Sequence, residues 1–194
     1  MLKTSSAKSK GRKLQQWLAA LLIEAANDCG ISLTAKDIRS TPSSVSGPDI
    51  QMSEAATKVF PFDFECKNEA NPQNIYGRYF KFQEKHKLPT IAVFKKTNRS
   101  KSSDPLFVVS GLILDWFHWD AIMYPELDYC VSLTAKRCNV IEYFYTLQQE
   151  AAGEEVLFEY RRLADECPIY VMSNSLFLLF IKFYIKTGQE PQNE

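Results

Sequence analysis

The sequence predicts an α/β fold, a mixed central sheet flanked by helices, and three patterns carry that expectation. Leu14, Trp17, Leu18, Leu21, Leu22 and Ala25 recur at helical spacing between Arg12 and Cys29. Phe60, Phe62 and Phe64 alternate with Pro61, Asp63 and Glu65, the period of a strand with one buried face. A helical pattern on Ile75, Tyr79 and Phe82 is then followed by two apolar runs, Thr90–Phe94 and Pro105–Ser110. With short strands at 36–40 and from Pro48, the order reads α–β–β–β–α–β, followed by a C-terminal α/β extension.

Each element has a local cause. Residues 1–13 carry Lys3, Lys8, Lys10, Arg12 and Lys13 with no acid, which reads as a flexible basic arm suited to phosphates. Gly30 is a natural stop for the helix that follows. The run S-T-P-S-S-V-S-G from Ser40 to Gly47 is a loop by composition. Beside it, Arg39 and the loop hydroxyls are candidates for phosphate contact. Pro48–Asp49 opens a strand, where proline is tolerated. Ser53 can cap a brief helical turn through Ala55, Ala56 and Lys58. The strand from Thr90 ends in Lys95–Lys96, and Asn98–Asp104 is a polar loop. Leu112–Trp119 reads as helical or irregular.

The remainder of the chain echoes this half. Asn74-Ile75, Tyr79-Phe80 and Gln83-Glu84 find counterparts in Asn139-Val140, Phe144-Tyr145 and Gln148-Gln149. Pro105–Ser110 likewise matches Pro168–Ser173. The offset is 65 at Asn74 and 63 at Pro105. An offset of 65 sets Cys130 opposite Glu65 and Ser132 opposite Lys67. A chance recurrence of a common helix–strand–strand unit gives the same pattern. The expected organisation is a basic flexible arm at 1–13, a core at 14–118 and an α/β extension, read as a degenerate repeat, at 119–194.

Composition narrows the chemistry. The 194 residues are 45% hydrophobic, enough for a packed core. Cys29, Cys66, Cys130, Cys138 and Cys167 are odd in number and form no C-x-x-C, which suits reduced thiols in a cytosol and argues against structural zinc. His86 and His118 are the only histidines, thin material for a histidine-based metal site or a Ser-His triad. The longest apolar run, Leu176–Ile185, contains Lys182 and is too short to span a bilayer. With no signal peptide ahead of the basic N-terminus, a cytoplasmic location is expected, in a bacterial or phage-infected host cytosol. Net charge is zero, yet residues 1–101 hold 17 Lys/Arg against 9 Asp/Glu, and residues 102–194 hold 6 against 14. A basic half suits a polyanionic substrate; the asymmetry also favours docking of the two halves.

The basic half contains the most informative constellation. Asp49 lies sixteen positions before Glu65, and Lys67 two after it. On a strand Glu65 and Lys67 share a face. If the two strands pair, two carboxylates and an ammonium converge. Mg²⁺ takes one or two protein carboxylates, keeps several waters and joins substrate phosphate. The metal polarises a phosphodiester and activates water, while a lysine orients that water or stabilises the developing charge. E-x-K alone also describes an ordinary edge strand with a surface Glu/Lys pair; the Pro-Asp ahead of it favours the chemical reading.

Gly47-Pro48-Asp49-Ile50 and Phe64-Glu65-Cys66-Lys67-Asn68 resemble the PD-(D/E)XK nuclease superfamily, the restriction-endonuclease-like fold. The likeness spans roughly residues 8–110 and is nearest to phage and archaeal Holliday-junction-resolvase-like members. Lys10-Gly11 and Asp37-Ile38-Arg39-Ser40 fit it too. The resemblance implies an αβββαβ core and a metal-dependent endonuclease acting on DNA, branched DNA included. It implies Mg²⁺, with Mn²⁺ as a substitute, and no organic cofactor or membrane. Asp49, Glu65 and the carbonyl of Cys66 become metal ligands, Lys67 is catalytic, and Gln83 sits on the helix after E-x-K. Lys8, Lys10, Arg12, Lys13, Arg39, Lys95 and Lys96 become nucleic-acid contacts. Pairing of active copies in this fold implies a homodimer. Resolvase-like members often carry a glutamate early in the first helix, where this chain has Gln15 and Gln16. The alternative is a catalytically silent DNA-binding or partner-binding module on the same fold.

Overall fold

The computed structural model describes residues 3–42, 45–97, 104–116, 129–152, 154–163 and 167–187. The first part runs α1 (Lys3–Asp28), β1 (Ile38–Ser40), β2 (Ile50–Met52), α2 (Glu54–Val59), β3 (Asp63–Glu69), α3 (Ile75–Lys85), β4 (Thr90–Lys96), β5 (Leu106–Ser110) and α4 (Gly111–Trp116). The second runs β6 (Tyr129–Ala135), α5 (Val140–Glu150), β7 (Val156–Arg162), β8 (Ile169–Met172) and α6 (Asn174–Thr187). Strands β3 to β8 form one mixed six-stranded sheet in the order β3-β4-β5-β8-β7-β6. The expected α/β class with helices on a mixed central sheet is therefore present.

Alternation along the strands divides the core between the two sheet faces. Phe64, Ile91, Val93, Phe107, Val109 and Met172 pack with Leu18 and Leu22 of α1, Ile113 of α4, and Phe177 and Phe180 of α6. Ala92, Phe94, Leu106, Val108, Phe158 and Val171 pack with Tyr79 of α3 and Phe144 of α5. The rings of Phe107 and Phe177 stack at 3.8 Å and 5°. Among the described residues no helix is long and apolar enough to cross a membrane.

Several expectations change. Residues 3–13, expected as a basic arm, form the opening turns of α1; alanine and lysine favour helix, and a single Gly11 costs only about 1 kcal/mol. β1 and β2 pair antiparallel as a separate two-stranded ribbon instead of joining the central sheet. The strand read from Phe60 begins at Asp63: Phe60 caps α2 by donating its N–H to the Ala56 carbonyl, and Phe62 leads into β3. Both rings are still buried. Ser53 caps α2, accepting from the Ala56 N–H, and Gly30 closes α1 at φ +83°. The stretch 117–119 and most of the polar loop at 98–104 lie outside the described residues.

The C-terminal part does not sit apart from the core. β6, β7 and β8 complete the same sheet, and the element order β3-α3-β4-β5-α4 recurs as β6-α5-β7-β8-α6. β3 and β4 are parallel, as are β6 and β7. β5 and β8 meet antiparallel at the centre, with Val108 opposite Val171. Asp63 and Tyr129 open equivalent strands, as do Thr90 and Val156, each pair 66 apart. Ile75 and Val140 open equivalent helices 65 apart. Register therefore corrects the position-matching: Val131 and Leu133, not Cys130 and Ser132, stand where Glu65 and Lys67 do. The slip arises because five residues join β3 to α3 and four join β6 to α5.

Candidate functional site

The site forms where the short ribbon meets the edge strand of the sheet. β3 has β4 on one side only. Its open edge meets Asp49, whose N–H donates to the Phe64 carbonyl at 2.9 Å. The Asp49 carboxylate completes the join: Oδ2 accepts the N–H of Cys66 at 2.7 Å. A carboxylate thus takes the place of a strand partner's carbonyl and fixes Asp49 beside Glu65 and Lys67. The loop ahead is pinned by Thr41, whose Oγ1 donates to the Pro48 carbonyl at 2.6 Å and whose N–H donates to the Asp49 carbonyl. Gly47 turns the chain at φ +132°, a conformation open chiefly to glycine.

Because β3 alternates, Phe64 and Cys66 enter the α1-side core and Glu65 and Lys67 face the α3 side. Glu65 is 2% exposed. Lys67 Nζ donates to its Oε2 at 2.7 Å, and Lys85 Nζ donates to Oε1 at 2.8 Å. His86 Nε2 lies 2.9 Å from the same Oε1, and its Nδ1 is 3.7 Å from Asp63 Oδ2. Lys67 Nζ is 3.7 Å from Asp49 Oδ2 and 5.0 Å from the centre of the Phe82 ring. Gln15 Nε2 donates to Asp49 Oδ1 at 2.8 Å.

These contacts set the proton affinities. Burial opposes the Glu65 carboxylate, but hydrogen bonds from Lys67 and Lys85 prevail and hold its pKa at about 2. Asp49 moves the other way: burial raises its pKa, the neighbouring Glu65 charge adds to that, and the Cys66 N–H and Lys67 offset it only in part. Burial also works against the Lys67 ammonium, yet the Glu65 hydrogen bond and charge raise its pKa overall. The Cys66 thiol is pushed up by burial and by Asp49, so Cys66 offers the site its main chain, not a thiolate.

Around this cluster is a cleft of about 400 Å³ floored by Asp49, Glu65 and Lys67, with Gln15, the glycine-loop residues and Lys85 on its walls. Lys8 and Arg12 of α1 also line it. Four cations thus face two carboxylates, a balance suited to a polyanion. Among the described residues no group of three or more His, Cys, Asp and Glu is arranged to hold a metal. Asp49 and Glu65 are oxygen donors of the kind Mg²⁺ takes, and in this structure their oxygens are engaged by Gln15, the Cys66 N–H, Lys67, Lys85 and His86.

No family model, curated protein or solved structure matches this chain.

The cleft brings together Asp49, Glu65, Cys66, Lys67, Lys8 and Arg12 from the sequence-derived set. Other members are placed elsewhere. Gln83 Oε1 accepts the Thr90 N–H at 2.9 Å and Nε2 donates to the Leu88 carbonyl, closing the turn from α3 into β4. Lys10 offers its carbonyl to Asn68 Nδ2 at 3.2 Å, and Lys13 is exposed. Arg39 donates to Gln51 Oε1 across the β1–β2 ribbon and lines a neighbouring hollow with Pro48 and Asp63. Lys95 stands opposite Asn68 in the sheet, and Lys96 pairs with Glu142 of α5.

Sequence reasoning did not place Lys85 and His86. Neither has a local motif: they reach Glu65 because α3 brings its C-terminal end back beside β3. Gln15 did carry a signal. It is one of the two early-helix glutamines singled out in the sequence, and here its amide holds Asp49. Glu24 of α1 is exposed and does not line the cleft.

Proposed function

We propose that this cleft performs Mg²⁺-dependent hydrolysis of DNA phosphodiester bonds. The observation that carries the reading is the convergence of Asp49, Glu65 and Lys67 at one sheet edge, inside a cleft also lined by Lys8, Arg12 and Lys85. Asp49 and Glu65 would hold the metal, which would supply activation of water and charge neutralisation at phosphate. The cationic walls of α1 hold the backbone of the strand. Lys67 keeps its proton, because its pKa is raised, and so donates to negative charge on the reacting phosphate instead of acting as a base. Phe82 and the two carboxylates fix where that ammonium points. The nuclease superfamily resemblance implies an endonuclease, with branched DNA among its substrates.

A second reading has its own observation. Both oxygens of Glu65 are already engaged, by Lys67, Lys85 and His86. Such a hub can lock an edge strand in a silent DNA-binding or partner-binding module.

The deciding experiment is a cleavage panel of linear, nicked, single-stranded and four-way-junction DNA, with Mg²⁺ or with EDTA. Mg²⁺-dependent cutting that is abolished in Asp49→Ala, Glu65→Ala and Lys67→Ala supports hydrolysis. DNA binding without cutting supports the silent module, and activity that survives EDTA overturns the metal mechanism.

A further inference from the structure

One buried ionisable group beside the cleft has no part in the hydrolysis so far described: His86. Its side chain is 3% exposed, nearly as buried as that of Glu65. It sits one residue past α3, at the C-cap, in extended backbone (φ −106°, ψ 154°). The turn that follows is pinned at three points. Gln83 accepts the Thr90 N–H and donates to the Leu88 carbonyl, and the Asp63 N–H donates to the Pro89 carbonyl at 3.0 Å. Asp63 shares a strand and a face with Glu65. The imidazole is thereby held between two carboxylates, with Nε2 2.9 Å from Glu65 Oε1 and Nδ1 3.7 Å from Asp63 Oδ2.

The groups around Glu65 differ in how firmly they can hold it. Lys85, which shares Oε1 with His86, has a long side chain that is 54% exposed. The imidazole is short, rigid and enclosed. Glu65 is held ionised, and an ionised carboxylate only accepts, so the contact requires the hydrogen on Nε2. Packing at this helix end does not call for histidine. The equivalent C-cap of α5 is Ala151, also buried. The strand position equivalent to Glu65 is Val131. One half of the sheet thus carries the acid and the histidine together, and the other carries neither.

We propose that His86 is a positioning residue for Glu65: its Nε2–H holds Oε1, so that the carboxylate keeps one orientation beside Asp49 and Lys67, the orientation a divalent cation meets. The assignment rests on the hydrolysis reading. His86 does not itself line the cleft, so it acts through Glu65. A partner hydrogen-bonded behind a ligand acts through geometry, and its loss typically lowers metal affinity by about 10- to 100-fold.

The test uses the full chain and two measurements. The first is ¹⁵N NMR of the imidazole in a His118→Gln background, where His86 is the only histidine. The hydrogen is expected on Nε2, and a ring whose Nε2 is bare overturns the proposal. The second is calorimetric titration with Mn²⁺, alongside steady-state cleavage of DNA under Mg²⁺. His86→Leu, which keeps bulk but no donor, should bind Mn²⁺ about tenfold or more weakly and lower kcat with the KM for DNA unchanged. His86→Gln, which returns an N–H near the place of Nε2, should recover most of both. A histidine that only stabilises the fold lowers the melting temperature and leaves the Mn²⁺ affinity and kcat of the folded variants unchanged; that result overturns the proposal. If His86→Leu does not fold, the NMR result decides. Wild type that neither binds Mn²⁺ nor cuts DNA removes the hydrolysis reading and this assignment with it. Wild type that does both, with His86→Leu equal to it, removes this assignment alone.

Discussion

Asp49 and Glu65 are adjacent carboxylates whose environments push them apart. Glu65 falls from 4.5 to about 2 because two ammonium groups outweigh its burial. A depressed carboxylate stabilises the fold above its unfolded pKa, and that contribution is lost as pH falls toward the folded value. The window here is pH 4.5 down to about 2, and the shift corresponds to about 3 kcal/mol. Glu65→Gln should therefore lower the melting temperature at pH 7 and flatten its fall below pH 4.5, read by calorimetry across that range. Asp49 has the opposite sign. Its raised pKa means that the folded state disfavours its charge at neutral pH. Asp49→Asn, which can still accept the Cys66 N–H, should melt at or above the wild-type temperature while losing cleavage. A marked loss of stability in Asp49→Asn would show that the charge itself holds β2 to β3.

α1 does two jobs at the scale of the element. Leu14, Leu18 and Leu22 bury one stripe of it against the sheet, and Lys8, Arg12 and Gln15 line the cleft. The cationic side can be removed without touching the buried stripe. Lys8→Ala/Arg12→Ala should weaken DNA binding alike for all sequences. It should reduce the slope of log affinity against log salt by roughly 0.9 for each duplex phosphate that the protein no longer neutralises. An unchanged slope would place the DNA elsewhere. On the same sheet face, α6 is anchored by Phe177 stacked on Phe107. Phe177→Ala leaves a cavity against a fully buried ring, and its expected cost is about 3–5 kcal/mol. Chemical denaturation should show that loss with little change in the dependence on denaturant.

For the whole molecule, the central pairing of β5 with β8 joins the two halves in one sheet. Ending the chain after residue 118 would turn β5 into an edge strand and uncover Phe107 and Val109, which α6 and the sheet now bury. Such a fragment should fail to fold or should aggregate, read by circular dichroism and by light scattering. A soluble, cooperatively melting fragment would show instead that residues 14–118 fold alone. Local rules made most of the elements readable along the chain. Helical spacing, the Ser53 cap, the Gly30 stop and the apolar runs of β4 and β5 each act within a few residues, so sequence alone determines them. The spacing of Asp49, Glu65 and Lys67 likewise follows from strand alternation plus one pairing. Position-matching also predicted the recurring element order of the C-terminal part, but not its register, because loops that differ by one residue shift every strand position after them. Only the tertiary structure could bring Lys85 and His86 to Glu65 and Gln15 to Asp49. Those pairings join residues 20 to 34 positions apart, and their partners are chosen by how helices cross the sheet, a choice that no local spacing records.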